Sequence, residues 1–174
     1  KTMPARFAHD NLAIILNLAE ASRLAGLAQR GGVLVHIGSM TSYPADAPVP
    51  FREDDLWKGY PEAGTAPYAI AKLAALPLLQ AYHAQHGLRS AYVIPTNLYG
   101  PGDNFDERTS HAAAAIIRRC VEAADRGDAE IVNWGTGSPS RQFLFVEDAA
   151  RGVGAAAERM REPIPSNLGT GGES

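Results

Sequence analysis

Short apolar runs alternate with helical stretches of about 15 to 20 residues along this chain, and that alternation constrains the fold more than any other feature. Residues 5–28 read as a helix, with Leu12, Ile15, Leu16, Ala19 and Leu24 at helical spacing and Gly26 near its end. Val33 to Ile37 is a near-continuous apolar run, as in a strand buried on both faces of a parallel sheet. A second helix spans 67–86, with Pro67 suited to its first turn and Gly87 to its end. Residues 90–94 form a second buried strand. A third helix covers 110–126, with Ser110 or Thr109 as cap and Gly127 as stop. Strands follow at 130–134 and 142–146. Glu147 and Asp148 open a last helix reaching about Met160, and Ile164 to Leu168 closes as a strand. The segments 38–67 and 96–108 read as loops.

Strand–helix–strand units of this kind specify an α/β fold with a doubly wound parallel sheet. Ligands of such sheets sit beyond the carboxyl ends of the strands, which directs attention to Gly38–Tyr43 and Pro95–Gly100. The length of 174 residues fits one domain with a small appendage. A net charge of −3 argues against nucleic acid or an anionic membrane surface as partner. No apolar run approaches the roughly 20 residues that span a bilayer. The single cysteine, Cys120, excludes an internal disulfide framework and a cysteine-based zinc cluster. No metal site is expected, since His9 and Asp10 have no third ligand spaced with them. The composition suits a cytoplasmic enzyme.

Tyr68 and Lys72 stand four residues apart and therefore share one helix face. A Lys ammonium beside a Tyr hydroxyl favours the phenolate. Such a tyrosine can exchange a proton with a substrate oxygen while hydride moves at the same carbon. Ser39, at a strand end, can hydrogen-bond that oxygen. Read on residue type alone, the remaining candidates have bland roles. His111 is a surface residue near a helix start, Arg118 and Arg119 a solvated face, and Trp134 a core residue. His36 is a hydrogen-bonded core residue, His83 and His86 lie on the surface, and Cys120 packs as a small hydrophobe.

The runs Ile37-Gly-Ser-Met-Thr-Ser-Tyr-Pro44, Ala66-Pro-Tyr-Ala-Ile-Ala-Lys72, Ile94-Pro-Thr-Asn-Leu-Tyr-Gly-Pro-Gly-Asp-Asn-Phe105, Trp134-Gly-Thr-Gly-Ser-Pro139 and Arg141-Gln-Phe-Leu-Phe-Val-Glu-Asp148 occur in this order. With them the chain resembles the extended short-chain dehydrogenase/reductases, the NAD(P)-dependent nucleotide-sugar epimerases and dehydratases. Within that family it is most similar to the branch that epimerises and reduces GDP-4-keto-6-deoxymannose. The resemblance implies a Rossmann-like sheet, of which residues 1–108 are the catalytic part, with 109–174 opening a small substrate lobe. It implies Ser39, Tyr68 and Lys72 as catalytic triad, with Tyr68 as proton donor and Lys72 also holding the nicotinamide ribose. Pro95, Asn97 and Leu98 match the segment against the nicotinamide, and Asn97 also faces the sugar. His111 matches the acid of epimerisation, close to the cofactor. Arg119, Trp134 and Arg141 match residues that hold the GDP-sugar. The implied cofactor is NADP, with NAD as the alternative, and the implied assembly is a homodimer.

One departure bears on the chemistry. The family places a cysteine two positions after the catalytic serine, as the base that removes protons beside the ketone; Thr41 stands there. A thiol supplies thiolate, whereas an alkyl hydroxyl does not ionise near neutral pH. The expectation is therefore a ketoreductase, or an epimerase that uses another base. The Gly-rich turn that receives a dinucleotide pyrophosphate does not precede the first helix. We therefore expect the chain to be the middle of a longer protein, cut before its C-terminal end. Two other readings stay open: a UDP- or dTDP-sugar 4-epimerase or dehydratase, and a non-catalytic scaffold.

Overall fold

In the computed structural model, residues 3–133, 135–136 and 140–171 are described. Helix α1 runs Pro4–Leu24, with proline in its first turn where no N–H is needed. It stops earlier than the sequence predicts because Gly26 adopts the left-handed φ of 66° and turns the chain out of the helix. Only Ile15 and Ala19 of α1 are buried, while Leu12, Leu16 and Leu24 are exposed. The helix packs on two neighbours that cover one narrow arc, so the broad apolar face read from the sequence is only partly used.

Strand β1 (Leu34–Ile37) is half-buried, not enclosed on both faces, because it lies at one edge of its sheet. The helix expected over 67–86 is two helices, α2 (Ala66–Leu73) and α3 (Ala75–His86). Pro77 accounts for the break: it has no N–H for the Leu73 carbonyl, and its ring crowds that oxygen. Gly87, at φ 66°, ends α3 as expected. Strand β2 (Ser90–Pro95) is buried from Ser90 to Ile94.

Strand β3 (Asn97–Tyr99) falls inside the segment read as a loop. It exists because its partner lies far along the chain. Helix α4 (Ala112–Arg126) starts after His111, not on a Ser110 or Thr109 cap; Thr109 bonds Asp106 instead. The strand expected over 130–134 is absent among the described residues 130–133, where no neighbouring strand is available to complete a ladder. Strand β4 (Phe143–Phe145) leads into α5 (Val146–Arg159), and β5 (Pro165–Leu168) follows.

The strands form two parallel sheets. One has the order β1-β2-β5, with Leu34 opposite Ser90 and Tyr92 opposite Pro165. The other pairs β3 with β4, Asn97 facing Phe143. The core lies between β2 and helices α1 to α3, around Ile15, Leu73, Leu76, Leu79, Tyr92 and Ile94. Each fully buried aliphatic side chain there contributes about 1.5–3 kcal/mol. The parallel α/β architecture inferred from the alternation is the one observed, and it leaves the carboxyl end of β1 facing the start of α2.

Candidate active site

Beyond β1 the chain reaches Gly38, which is buried against the ring of Tyr92. A Cβ at Gly38 would stand 2.8 Å from the tyrosine Cε1, closer than van der Waals contact permits. Ser39 follows in extended conformation and caps a single 3-10 turn, Met40–Ser42. Its Oγ lies 2.8 Å from Thr41 Oγ1 and accepts the Thr41 N–H at 3.3 Å. Ser42 is buried, and its hydroxyl donates to the Ala69 carbonyl at 3.0 Å. That bond pins the turn to α2 one residue after Tyr68.

Lys72, one helical turn further, directs its ammonium back at β1. Nζ donates to the Ile37 carbonyl at 3.0 Å and lies 5.9 Å from the centroid of the Tyr68 ring. Burial holds the Lys72 proton affinity below that of an ordinary lysine. From beneath, the Tyr92 hydroxyl donates to the Lys72 carbonyl at 3.0 Å. The structure thus brings Ser39, Thr41, Tyr68 and Lys72 together where β1 meets α2. A hydroxyl pair, Ser39 with Thr41, and a phenol beside a cation, Tyr68 with Lys72, are groups that can bind a carbonyl oxygen and deliver a proton to it.

His36 lies beneath this group, its ring stacked on Tyr92 with centroids 5.3 Å apart. Its pKa is pushed down to about 4, chiefly by burial and secondarily by the Lys72 charge. The sequence reading made it a hydrogen-bonded core residue. A hydrogen bond to the Lys72 backbone agrees with that reading and partly offsets the fall in pKa, while Nε2 is buried with no partner among the described residues. Tyr43, at the end of the turn, donates to Asn167 Oδ1 at 2.7 Å and so ties the site to β5. Burial pushes its pKa up to about 12.

The other candidates sit elsewhere. Pro95 ends β2, and Asn97 Nδ2 donates to the Gln142 carbonyl at 3.0 Å, holding β3 to the segment before β4. Leu98 is exposed and lines a shallow hollow with Tyr99, Gly100, Asp103 and Val146. His111 is exposed at the start of α4 and makes no side-chain cap. Arg119 donates to the carbonyls of Ala115 and Val132, the latter at 2.9 Å. Arg141 is exposed and donates to Ser140 O. Among the described residues, no hydrogen bond, ion pair or ring contact joins His111, Arg119 or Arg141 to the Ser39–Lys72 group. Trp134 lies outside the described residues. Cys120, read as packed, is exposed because α4 turns that face to solvent. Among the described residues no cluster suits a metal ion, and no helix is long and apolar enough to cross a membrane.

Gly38, Ser42 and Tyr92 complete the site and were not singled out by sequence reasoning. Ser42 had a signal, being a second serine three residues after Ser39. Tyr92 had none, since one tyrosine in a buried strand reads as core.

Comparison with known proteins identifies the family and its relatives. The family model described as NAD dependent epimerase/dehydratase family matches residues 1–169. A GDP-L-fucose synthase of Sinorhizobium fredii is 39% identical over 172 residues, covering 99% of this chain and 54% of the relative. GDP-L-fucose synthase 1 of Arabidopsis thaliana is 40% identical over 172 residues, covering 99% and 52%. Among solved structures, a GDP-L-fucose synthetase from Naegleria fowleri bound to NADP superposes with a TM-score of 0.83 at 28% identity, covering 98% of this chain and 55% of that one. The chain spans about half the length of the curated relatives it matches.

Proposed function

The chain belongs to the NAD dependent epimerase/dehydratase family, and on that premise we propose that it carries the catalytic half of an NADP-dependent reductase of a GDP-linked 4-keto-6-deoxyhexose. The observation that carries this reading is the Ser39–Thr41–Tyr68–Lys72 group gathered at the end of β1. The GDP-L-fucose synthases among the relatives support the substrate class, and the NADP-bound Naegleria structure supports the cofactor.

The residues present fit the nicotinamide-ribose end of the cofactor. A half-buried ammonium, Lys72, and a phenol, Tyr68, stand together beyond a parallel strand, where such ligands bind. Lys72 would hold the ribose hydroxyls, and Pro95 to Leu98 would lie against the ring. NADPH, when bound, supplies hydride to the carbonyl carbon. Tyr68 gives its hydroxyl proton to the carbonyl oxygen, and Ser39 donates a hydrogen bond to the same oxygen as charge develops on it. The product is an alcohol at that carbon.

Thr41 decides what does not happen. Its hydroxyl is engaged with Ser39 and carries no basic group toward the carbons beside the ketone. We therefore assign reduction without epimerisation, and leave His111 without a proton-transfer role. In the division of labour proposed, residues 1–108 perform the chemistry. Arg119, Trp134 and Arg141 in 109–174 hold the GDP-sugar, arginine suiting a diphosphate through paired charge-assisted bonds. A homodimer in the cytoplasm completes the proposal. The exposed apolar stripe Phe7, Ile14 and Leu18 on α1, continued by Met3 at its N-cap, supports a subunit contact.

The test is NADPH oxidation by the protein expressed from the full coding sequence that carries this chain, offered a panel of 4-keto nucleotide sugars. Oxidation with a GDP-4-keto-6-deoxyhexose is expected. Absence of oxidation with every member would overturn the assignment.

A further inference from the structure

Pro77 breaks the helix that bears the catalytic pair just past Lys72, and a helix end has carbonyl oxygens to satisfy. One donor for them comes from the sheet. Tyr92, fully buried in β2, sends its hydroxyl to the Lys72 carbonyl at 3.0 Å. The same ring packs under Gly38, where only a residue without Cβ fits. It also stacks on His36 in β1. Tyr92 thus touches both sides of the site, the strand end that leads to Ser39 and the helix turn that projects Lys72. The Lys72 ammonium in turn bonds Ile37 O, one residue before Gly38. Ile37, Gly38, Tyr92 and Lys72 therefore enclose a small loop of contacts in which moving one member moves the others.

We propose that Tyr92 is a positioning residue for Lys72: its buried hydroxyl fixes the turn of α2 from which the lysine reaches the end of β1. The inference rests on the reading of Tyr68 and Lys72 as catalytic. It gives a function to a strand tyrosine that is fully buried. Burial keeps the Tyr92 phenol protonated well above the physiological range, so it serves as a permanent donor. Removing the hydroxyl leaves the ring packing in place and takes away the donor from the sheet, leaving the Lys72 carbonyl with the Ala74 N–H of its own helix end. A displacement of about 1 Å in a catalytic group is enough to lower turnover by one to two orders of magnitude.

Three single variants in the protein expressed from the full coding sequence separate the possibilities. Tyr92→Phe is expected to lower kcat by about tenfold with KM for the keto sugar unchanged. Gly38→Ala, which keeps the hydroxyl but forces the ring aside, is expected to give the same split. It carries the test should Tyr92→Phe fail to fold. Tyr68→Phe is the reference for the underlying reading and is expected to be nearly inactive. Wild-type kcat in both Tyr92→Phe and Gly38→Ala, with Tyr68→Phe inactive, would overturn the positioning role alone. Full activity in Tyr68→Phe would overturn the catalytic reading and the positioning role with it.

Discussion

The end of β1 and the segment around α4 are held by different kinds of bond. At the β1 end the bonds join residues distant in sequence: Ser42 to Ala69, Lys72 to Ile37, Tyr92 to Lys72 and Tyr43 to Asn167. Around α4 they are mostly local: Arg118 to Glu122, Arg126 to Asp128, and Thr109 to Asp106. Burial follows the same division. β2 is enclosed from Ser90 to Ile94, whereas α4 buries only Ala114 and Ala123 and exposes Ile116, Ile117 and Val121. The lesson is one of preorganisation. The turn after β1 and the helix turn that carries Lys72 are fixed by tertiary bonds before substrate arrives. The groups proposed to hold the nucleotide sit on a segment with little packing of its own.

That contrast can be broken most severely at Tyr68. Tyr68→Phe should lower kcat about a thousandfold while the melting temperature stays within a degree or two, since the half-buried ring is retained. A comparable loss of stability would mean that the site is structural. Next comes packing. Leu79 is fully buried in α3, so Leu79→Ala should cost about 2–5 kcal/mol in urea unfolding.

Acid should act through His36. The histidine protonates near pH 4 when folded and near 6.5 when unfolded, so the folded state binds fewer protons across that window. Its contribution is intact above pH 6.5 and is lost as pH falls through 4, amounting to roughly 3 kcal/mol. His36→Gln should flatten the stability profile over that range; an unchanged slope would place the acid sensitivity elsewhere.

On the α4 side the effects should be smaller and of another kind. Arg119→Ala should raise KM for the GDP-sugar about tenfold, with kcat and stability little changed, as for loss of a charge-assisted bond. Val121 is 56% exposed, and Val121→Ala should shift stability by less than about 0.5 kcal/mol. A cost near that of Leu79→Ala would erase the distinction between the two regions.

The parallel α/β architecture was readable because β2 is apolar from Ala91 to Ile94 apart from one tyrosine hydroxyl and because Gly87 and Gly127 end their helices where left-handed glycines should. Ser39, Tyr68 and Lys72 were readable because their spacing fits a strand end and one helix face. What escaped depends on partners remote in sequence. Strand β3 exists only through β4, and the run at 130–133 pairs with no strand among the described residues. Pro77 signals a break, but a proline near the start of a long apolar helix is easily absorbed into it. Tyr92 and Ser42 acquire their roles from what the fold sets opposite them. No periodicity encodes that.

The central claim is that this site reduces a ketone and leaves the neighbouring carbons alone. It is tested most directly by running the NADPH reaction with a GDP-4-keto-6-deoxyhexose in D2O and locating deuterium in the product. NADPH oxidation with no deuterium bonded to the carbons flanking the new alcohol is the predicted result. Deuterium at either flanking carbon would contradict it, showing that a base other than a cysteine at position 41 removes protons there.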